Sequence, residues 1–197
     1  IEHTEHININ NIMVLKDGEK IAEHHWIEEI RQNQYSVSKS FTSAAMGIAI
    51  EEGLLTLEDP VIEFFPDKAP KNPSNRLRNL KVKHLLTMSI GHNASHLMSG
   101  QRLKMEEDDW VKYCLNLPID HEPGTKFLYS NVGPYLAGMI INRLTKCNLL
   151  DYLMPRLFKP LGIRLPTWET DTMGNSFGSG GLMLAVSEIA RFGQLYL

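Results

Sequence analysis

A serine and a lysine stand three residues apart in Ser36-Val37-Ser38-Lys39, where the hydrophobic period changes from that of a strand to that of a helix. On a helix this spacing puts both side chains on one face, within reach of each other. A serine hydroxyl is a weak nucleophile unless an adjacent base takes its proton. Lysine can be that base where burial or nearby positive charge lowers its pKa. The pair predicts Ser36 as an acylatable nucleophile and Lys39 as its proton acceptor.

A second group of polar side chains lies in Tyr129-Ser130-Asn131, after a Pro-Gly turn and immediately before an apolar helix. This position lets the side chains project into a cleft. A tyrosine phenol near a lysine can pass a proton to a leaving group. An asparagine amide can hydrogen-bond both a lysine and a substrate carbonyl. Tyr129 is therefore a candidate catalytic residue, and Asn131 a candidate substrate-binding residue.

Each of these motifs also has a purely structural interpretation. Ser36 can be an N-cap serine followed by an exposed Lys39, and Tyr129 can be a core aromatic residue followed by an Asn131 helix cap. Taken alone, each motif favours that structural interpretation. The chemical interpretation depends on their occurring together, in this order and context.

A third pattern, Gly174 to Gly178, matches the G-x-S-x-G nucleophile elbow of α/β-hydrolases. That elbow requires a buried strand before it and a helix directly after it. Here the preceding segment, 167–172, is polar, and Ser179-Gly180-Gly181 follows. No histidine occurs after His121, whereas the elbow's histidine follows its serine. We expect a flexible loop beside the active site instead.

Eight histidines raise the question of a metal site. They form no HExxH motif, and no CxxC motif accompanies them. His24 and His25 would point to opposite faces of a strand, which prevents chelation by that pair. We expect surface or hydrogen-bonded histidines, and neither a metal nor a cofactor. The close pairs are His3 and His6, His24 and His25, and His92 and His96.

The elements that must position these residues follow from the hydrophobic pattern. Residues 7–26 read as a β-hairpin around the turn at Asp17-Gly18. Apolar residues then recur on one helical face from Ser36 onward, and Gly53 stands where a helix C-cap belongs. The remainder reads as helices at 60–65, 82–88, 106–117, 132–145, 148–158 and from 187, with loops at 68–79, 89–100 and 174–181.

A two-stranded hairpin is barely stable alone, and nothing after residue 26 supplies a convincing partner strand. The chain also stops inside an amphipathic helix. We therefore expect this chain to be part of a longer protein whose remaining strands lie beyond Leu197.

Composition excludes several other classes of protein. The 197 residues include 43% hydrophobic and 22% charged residues, which is ordinary for a globular chain with a sizeable core. A net charge of −3 gives no reason to expect a nucleic-acid partner. No run reaches the roughly 18 apolar residues of a membrane span. Cys114 and Cys147 lie in apolar helical contexts and are expected to be buried free thiols.

Several segments, in this order, resemble the serine β-lactamase and penicillin-binding-protein superfamily. The form Tyr-x-Asn, rather than Ser-Asp-Asn, argues against the class A branch. The similarity is greatest to the class C β-lactamases, with the related DD-peptidases and β-lactamase-fold esterases. The segments that carry it are 35–41 (YSVSKSF), 52–61 (EGLLTLEDPV), 84–92 (HLLTMSIGH), 123–131 (PGT through YSN) and 180–192 (GGL through ARF).

The resemblance implies a mixed α/β fold, in which an antiparallel sheet flanked by helices stands beside a mostly helical domain. Residues 1–55 would then hold the N-terminal hairpin and the nucleophile helix, and residues 56–170 the helical domain. Residues 171–197 would return to the α/β domain. It also implies a bacterial protein. The sequence predicts neither whether that protein is cytoplasmic or exported nor its oligomeric state.

The same resemblance implies roles in an acyl-enzyme reaction on an amide or ester: a β-lactam, a D-Ala peptide or a small ester. Ser36 would attack the carbonyl, Lys39 and Tyr129 would jointly handle its proton, and Asn131 would orient the substrate and Lys39. The backbone N–H of Ser36 would form half of the oxyanion hole. The family's third motif, Lys or His followed by Thr or Ser and Gly, does not occur, so residues 1–197 alone are expected to be inactive. The alternative is a non-catalytic binding or regulatory protein on the same scaffold.

Overall fold

The chain begins with a β-hairpin in the computed structural model, which describes residues 8–197. Strand β1 (Asn11–Lys16) pairs antiparallel with strand β2 (Glu19–His25). Asp17 and Gly18 form the turn with positive φ angles of 51° and 85°, as a tight hairpin turn requires. This confirms the predicted hairpin, apart from Ile7, which lies outside the described residues.

In residues 27–197 helices are the predominant regular structure. The π-helix Met154–Phe158 directly continues the α-helix Leu149–Leu153, and the two together account for the predicted helix 148–158. Short 3-10 turns lie at Val61–Phe64 and Gln194–Tyr196. The eight α-helices are α1 (Ser38–Glu51), α2 (Asn75–Asn79), α3 (Val82–Leu86), α4 (Ser99–Arg102), α5 (Trp110–Leu115), α6 (Val132–Thr145), α7 (Leu149–Leu153) and α8 (Val186–Gly193).

A second, three-stranded sheet is the main feature that the sequence pattern did not predict. It consists of β3 (Gln32–Asn33), β4 (Thr167–Trp168) and β5 (Leu182–Leu184). The strands are antiparallel in the order β3-β5-β4. Within residues 8–197 no later strand pairs with the hairpin, as expected, but the pattern missed these three short strands, which pair with each other. Strands of two or three residues are too short to show an alternating pattern.

Helix α1 has the amphipathic character that the sequence predicts. Phe41, Ala45 and Ala49 are fully buried on one face. Gly53, just past the helix end, adopts a left-handed φ of 71°, as expected of a helix C-terminal glycine. The helix packs against α6 and so forms one wall of the core.

Helix α6 is the central element of that core. Its first ten residues are all buried, and it contacts α1, α3, α5 and α7. Gly133 permits the close approach to α3, because a Cβ atom at this position would lie 2.4 Å from the carbonyl oxygen of Leu85. Only a glycine fits between these two helices without moving one of them.

Three further expectations need correction. The predicted loop 68–79 ends in the short helix α2, which begins after a Ser74 N-cap whose hydroxyl accepts from the backbone of Leu77. Cys114 is buried as predicted, but Cys147 is exposed, because it lies just beyond the end of α6. The glycine-rich loop 174–181, expected to be flexible, is buried from Ser176 onward.

None of the helices in residues 8–197 combines the length and the apolarity that crossing a bilayer would require.

The close packing of α6 against α3 gives a testable prediction for Gly133. Gly133→Ala should lower the free energy of unfolding by about 1–3 kcal/mol, because the added methyl group forces the two helices apart. Gly47→Ala is the matched control, since Gly47 lies in α1 with no neighbouring atom within 4 Å of the added carbon. The control should gain about 0.5–1 kcal/mol of helix propensity. Urea unfolding measures both variants, and equal stabilities would contradict the packing argument.

Candidate active site

Ser36 lies at the exposed tip of a strained turn that leads into α1. The turn is the 3-10 helix Tyr35–Val37, and Tyr35 adopts a positive φ of 43°. The Asn33 side chain stabilises this conformation, because its Oδ1 accepts a hydrogen bond from the Tyr35 backbone N–H at 2.7 Å. The preceding Gln34 N–H donates to the carbonyl of Leu182 in β5 at 2.9 Å. Pairing within the small sheet thus fixes where Ser36 is presented.

Lys39 lies one turn further along, on the same face of α1, and is half-buried. Its Nζ donates to three acceptors that come from three separate segments. These are Ser36 Oγ at 3.1 Å, Asn131 Oδ1 at 2.8 Å and the carbonyl oxygen of Ser179 at 2.6 Å. The predicted Ser–Lys contact is therefore present in the structure.

Asn131 is buried at the start of α6, where its amide orientation is fixed by a second contact. Its Nδ2 donates to the carbonyl oxygen of Leu97 at 2.9 Å, so Oδ1 is left facing Lys39. Its own backbone carbonyl accepts from Ser179 Oγ at 2.5 Å. Asn131 thereby joins the lysine, the glycine-rich loop and the loop before α4.

Tyr129 completes the group through a contact with the Ser36 hydroxyl. Its phenol lies 2.6 Å from Ser36 Oγ, and the Lys39 ammonium nitrogen lies 5.2 Å from the centre of its ring. The side chain is 41% exposed, which leaves it open to a bound molecule. All four predicted residues, Ser36, Lys39, Tyr129 and Asn131, are thus brought together.

The environment lowers the pKa of both titratable groups. Burial lowers the pKa of Lys39, the positive charge of Arg102 lowers it further, and the Tyr129 phenol opposes this shift. Burial alone would raise the pKa of Tyr129, but its interactions with Ser36 and Lys39 outweigh that effect and lower it. An amine that loses its proton more readily and a phenol that ionises more readily now flank one hydroxyl. This arrangement can accept and return a proton.

Several cleft residues carried no signal in the sequence. Ser36 opens onto a cavity of about 180 Å³ that is also lined by Arg102, Glu169 and Phe177. The contribution of Ser179 is a backbone carbonyl, which every residue type possesses, so composition could not reveal it. The predicted position of the glycine-rich loop beside the site was right.

The serine of the G-x-S-x-G match and the pair His92 and His96 are not part of the group formed by Ser36, Lys39, Tyr129 and Asn131. Ser176, the serine of the G-x-S-x-G match, is 2% exposed, and its hydroxyl accepts from the backbone of Leu150. His92 and His96 lie with ring centres 5.4 Å apart. Within residues 8–197 no three histidine, cysteine or acidic side chains cluster in a way that could hold a metal ion.

Comparisons with known proteins show which proteins this chain is similar to. The sequence model of the Beta-lactamase family matches residues 11–181. The chain is 26% identical over 206 aligned positions to the 6-aminohexanoate-dimer hydrolase of Paenarthrobacter ureafaciens, covering 94% of the chain and 51% of that protein. It is 28% identical over 151 positions to the lovastatin esterase of Penicillium rubens, covering 65% of the chain and 37% of that protein.

A solved structure shows the same fold. The octameric penicillin-binding protein homologue from Pyrococcus abyssi superposes with a TM-score of 0.77 at 22% identity, over 94% of this chain and 51% of that one. This confirms the predicted β-lactamase-like α/β fold. The narrower resemblance to the class C branch stays a prediction, as do the three predicted domain segments. The chain spans about half the length, or less, of these relatives.

The loop that supports Asn131 contains a histidine buried without a partner. His92 is 3% exposed, and within residues 8–197 its Nδ1 has no hydrogen-bonding partner. Burial lowers the pKa of His92 to about 4, nearby His96 lowers it as well, and Asp120 opposes them. A few residues later in this loop, the carbonyl of Leu97 binds the Asn131 amide.

His92 therefore predicts a pH dependence of stability. Below pH of about 6.5 the unfolded chain gains a proton on this ring, whereas the folded chain resists it until about pH 4. Stability should thus fall as the pH is lowered through this window, by on the order of 3 kcal/mol. Urea unfolding across the window should show a shallower slope for His92→Asn. A slope in His92→Asn equal to that of the wild type would show the idea to be wrong.

Proposed function

The chain belongs to the Beta-lactamase family, and from this premise we propose that it is a serine hydrolase that becomes acylated on Ser36. The substrate is an amide or ester: a β-lactam, a D-Ala peptide or a small ester. Two relatives that match the chain are named as hydrolases, one of an aminohexanoate dimer and one of lovastatin. Neither name fixes the substrate of this protein.

The observation that carries the proposal is the set of partners around Lys39. Two of its acceptors, Asn131 Oδ1 and the Ser179 carbonyl, can only accept hydrogen bonds from it. The third, the Ser36 hydroxyl, can also donate. An uncharged Lys39 amine is therefore fully satisfied: two N–H groups point to Asn131 and Ser179, and its lone pair receives the Ser36 proton. This is the arrangement that a general base for Ser36 needs.

Acylation follows from this arrangement. Lys39 takes the hydroxyl proton as Ser36 Oγ forms a bond to the substrate carbonyl carbon, giving a tetrahedral intermediate. The Tyr129 phenol, 2.6 Å from Ser36 Oγ, lies where it can relay that proton to the leaving nitrogen or oxygen. The bond to the leaving group then breaks, and the acyl group stays on Ser36. Lys39 and Tyr129 share the acid–base role, as the sequence predicts.

Deacylation reverses the roles. Tyr129 and Lys39 take a proton from water as it attacks the ester carbonyl on Ser36, and the proton returns to Ser36 Oγ as the acid product leaves. The backbone N–H of Ser36 stabilises the oxyanion in both halves of the reaction. Asn131 holds Lys39 and orients the substrate carbonyl.

The experiment is covalent labelling of the purified full-length protein. Benzylpenicillin should add its whole mass to the wild-type protein, because ring opening leaves the departing amine attached to the acyl group. A 4-nitrophenyl ester should be hydrolysed through the same residue. Ser36→Ala should abolish the adduct and lower kcat for the ester by about 10⁴-fold or more. Ser40→Ala, which removes an exposed serine from the same helix, should match the wild type.

The non-catalytic alternative makes the opposite prediction. If neither compound forms an adduct and Ser36→Ala hydrolyses the ester as fast as the wild type, the hydrolase proposal fails. A penicillin adduct that forms on Ser36 but never turns over, with no ester hydrolysis, would identify a binding protein on this scaffold.

A further inference from the structure

One side of the Ser36 cleft contains an ion pair whose members have no proton-transfer role in the proposed acylation. Arg102 in α4 donates through its Nη1 to Oε1 of Glu169, which directly follows β4 and its Trp168. Both side chains line the cavity of about 180 Å³ that opens at Ser36. A substrate that extends from Ser36 into this cavity would lie beside this pair.

The guanidinium is the covered member of the pair. Its Cζ stacks 4.1 Å from the centre of the Phe177 ring, a favourable cation–π geometry. The Arg102 side chain is only 16% exposed, compared with 41% for that of Glu169. A molecule bound in the cavity can therefore contact the Glu169 carboxylate more readily than the Arg102 guanidinium. The guanidinium lies between the Phe177 ring and that carboxylate.

Glu169 is held rigidly and still has an unused acceptor. Its backbone N–H donates to the carbonyl of Gly181 at 2.9 Å, and its carbonyl accepts from Phe177 at 2.7 Å. Gly181 has a φ of 83°, and a Cβ atom there would lie 2.2 Å from the Cβ of Glu169, so only glycine permits this packing. Within residues 8–197, Oε2 of Glu169 has no hydrogen-bonding partner, whereas Oε1 binds Arg102.

We propose that Glu169 is a substrate-binding residue that recognises a positively charged group of the substrate acylating Ser36. A carboxylate has about four acceptor positions, so Oε2 can bind a cation while Oε1 keeps Arg102. Arg102 positions the carboxylate in advance, which reduces the ordering that binding would otherwise require. An anionic group would instead approach the exposed carboxylate and be repelled. This inference rests on the proposed function and names the charge of its substrate.

The first test is binding, which does not depend on catalysis. Butylammonium and butyrate are titrated into the full-length protein, and shifts of backbone amide NMR signals around the cleft give the affinities. We expect butylammonium to bind at least tenfold more tightly than butyrate, and Glu169→Gln to weaken it about tenfold. Glu169→Asp keeps the charge and should retain most of the affinity. Equal affinities for the two ions, or no effect of Glu169→Gln, would overturn the proposal.

The second test is selectivity in hydrolysis between two esters that differ only in charge. These are the 4-nitrophenyl esters of 4-(trimethylammonio)butyrate and of its carbon isostere, 5,5-dimethylhexanoate. The wild type should favour the cationic ester in kcat/KM by at least tenfold, and Glu169→Gln should lose this preference between the two esters. Glu107→Gln, which removes another ion-paired glutamate away from the cavity, should keep the preference.

The outcomes separate the two proposals. Hydrolysis of both esters with the same efficiency by the wild type would refute the role of Glu169 and leave the hydrolase proposal standing. Hydrolysis of neither ester would refute the hydrolase proposal, and the binding measurement would then decide the charge preference alone.

Discussion

The burial of Lys39 is the constraint on which the site depends. An ammonium group is costly to bury unless its hydrogen bonds are satisfied, and burial favours its uncharged form. The partners here satisfy that uncharged form: two fixed oxygens, from Asn131 and Ser179, and one hydroxyl, from Ser36. The same contacts that make the buried lysine tolerable also hold its amine beside the Ser36 hydroxyl, the proposed nucleophile.

Satisfying one lysine requires several distant segments to meet within a few ångströms. The small sheet aligns the residues before Ser36 with β5, and the Trp168 indole N–H donates to the carbonyls of Phe177 and Gly180. These two hydrogen bonds fix the position of the loop that contains Ser179. Close packing of α1 and α6 then sets Asn131 opposite Lys39. The packing of the core therefore also determines the geometry of the site, and weaker packing would displace Lys39 relative to Ser36.

The sequence predicted the parts of the fold that have a clear period or a strong turn signal. The hairpin, α1 and α6 were all predicted, α6 to the residue, because each has enough residues to display its pattern. The three short strands were missed because two or three residues have no period. Cys147 was expected to be buried because its neighbours in sequence are apolar, but it lies in the exposed connection between α6 and α7.

The candidate site could be predicted from the sequence because its side chains stand in motifs that follow one another in the same order as in the β-lactamase superfamily. Ser36, Lys39, Tyr129 and Asn131 were found in this way. The Arg102–Glu169 pair was not, because 67 residues separate its members and no local pattern relates them. Strain at Tyr35 and the carbonyl of Ser179 are properties of the backbone, which only the structure reveals.

The most direct test of the account is the protonation of Lys39 itself. In protein labelled with nitrogen-15 at lysine Nζ, with the Lys39 signal assigned by its loss in Lys39→Arg, the shift of that signal with pH reports the pKa of this amine. The account predicts a value below the ordinary lysine pKa of about 10.4, because burial disfavours the charged amine. A Lys39 that titrates at or above about 10.4 would show that the amine holds its proton in the folded protein, and would contradict its role as the base for Ser36.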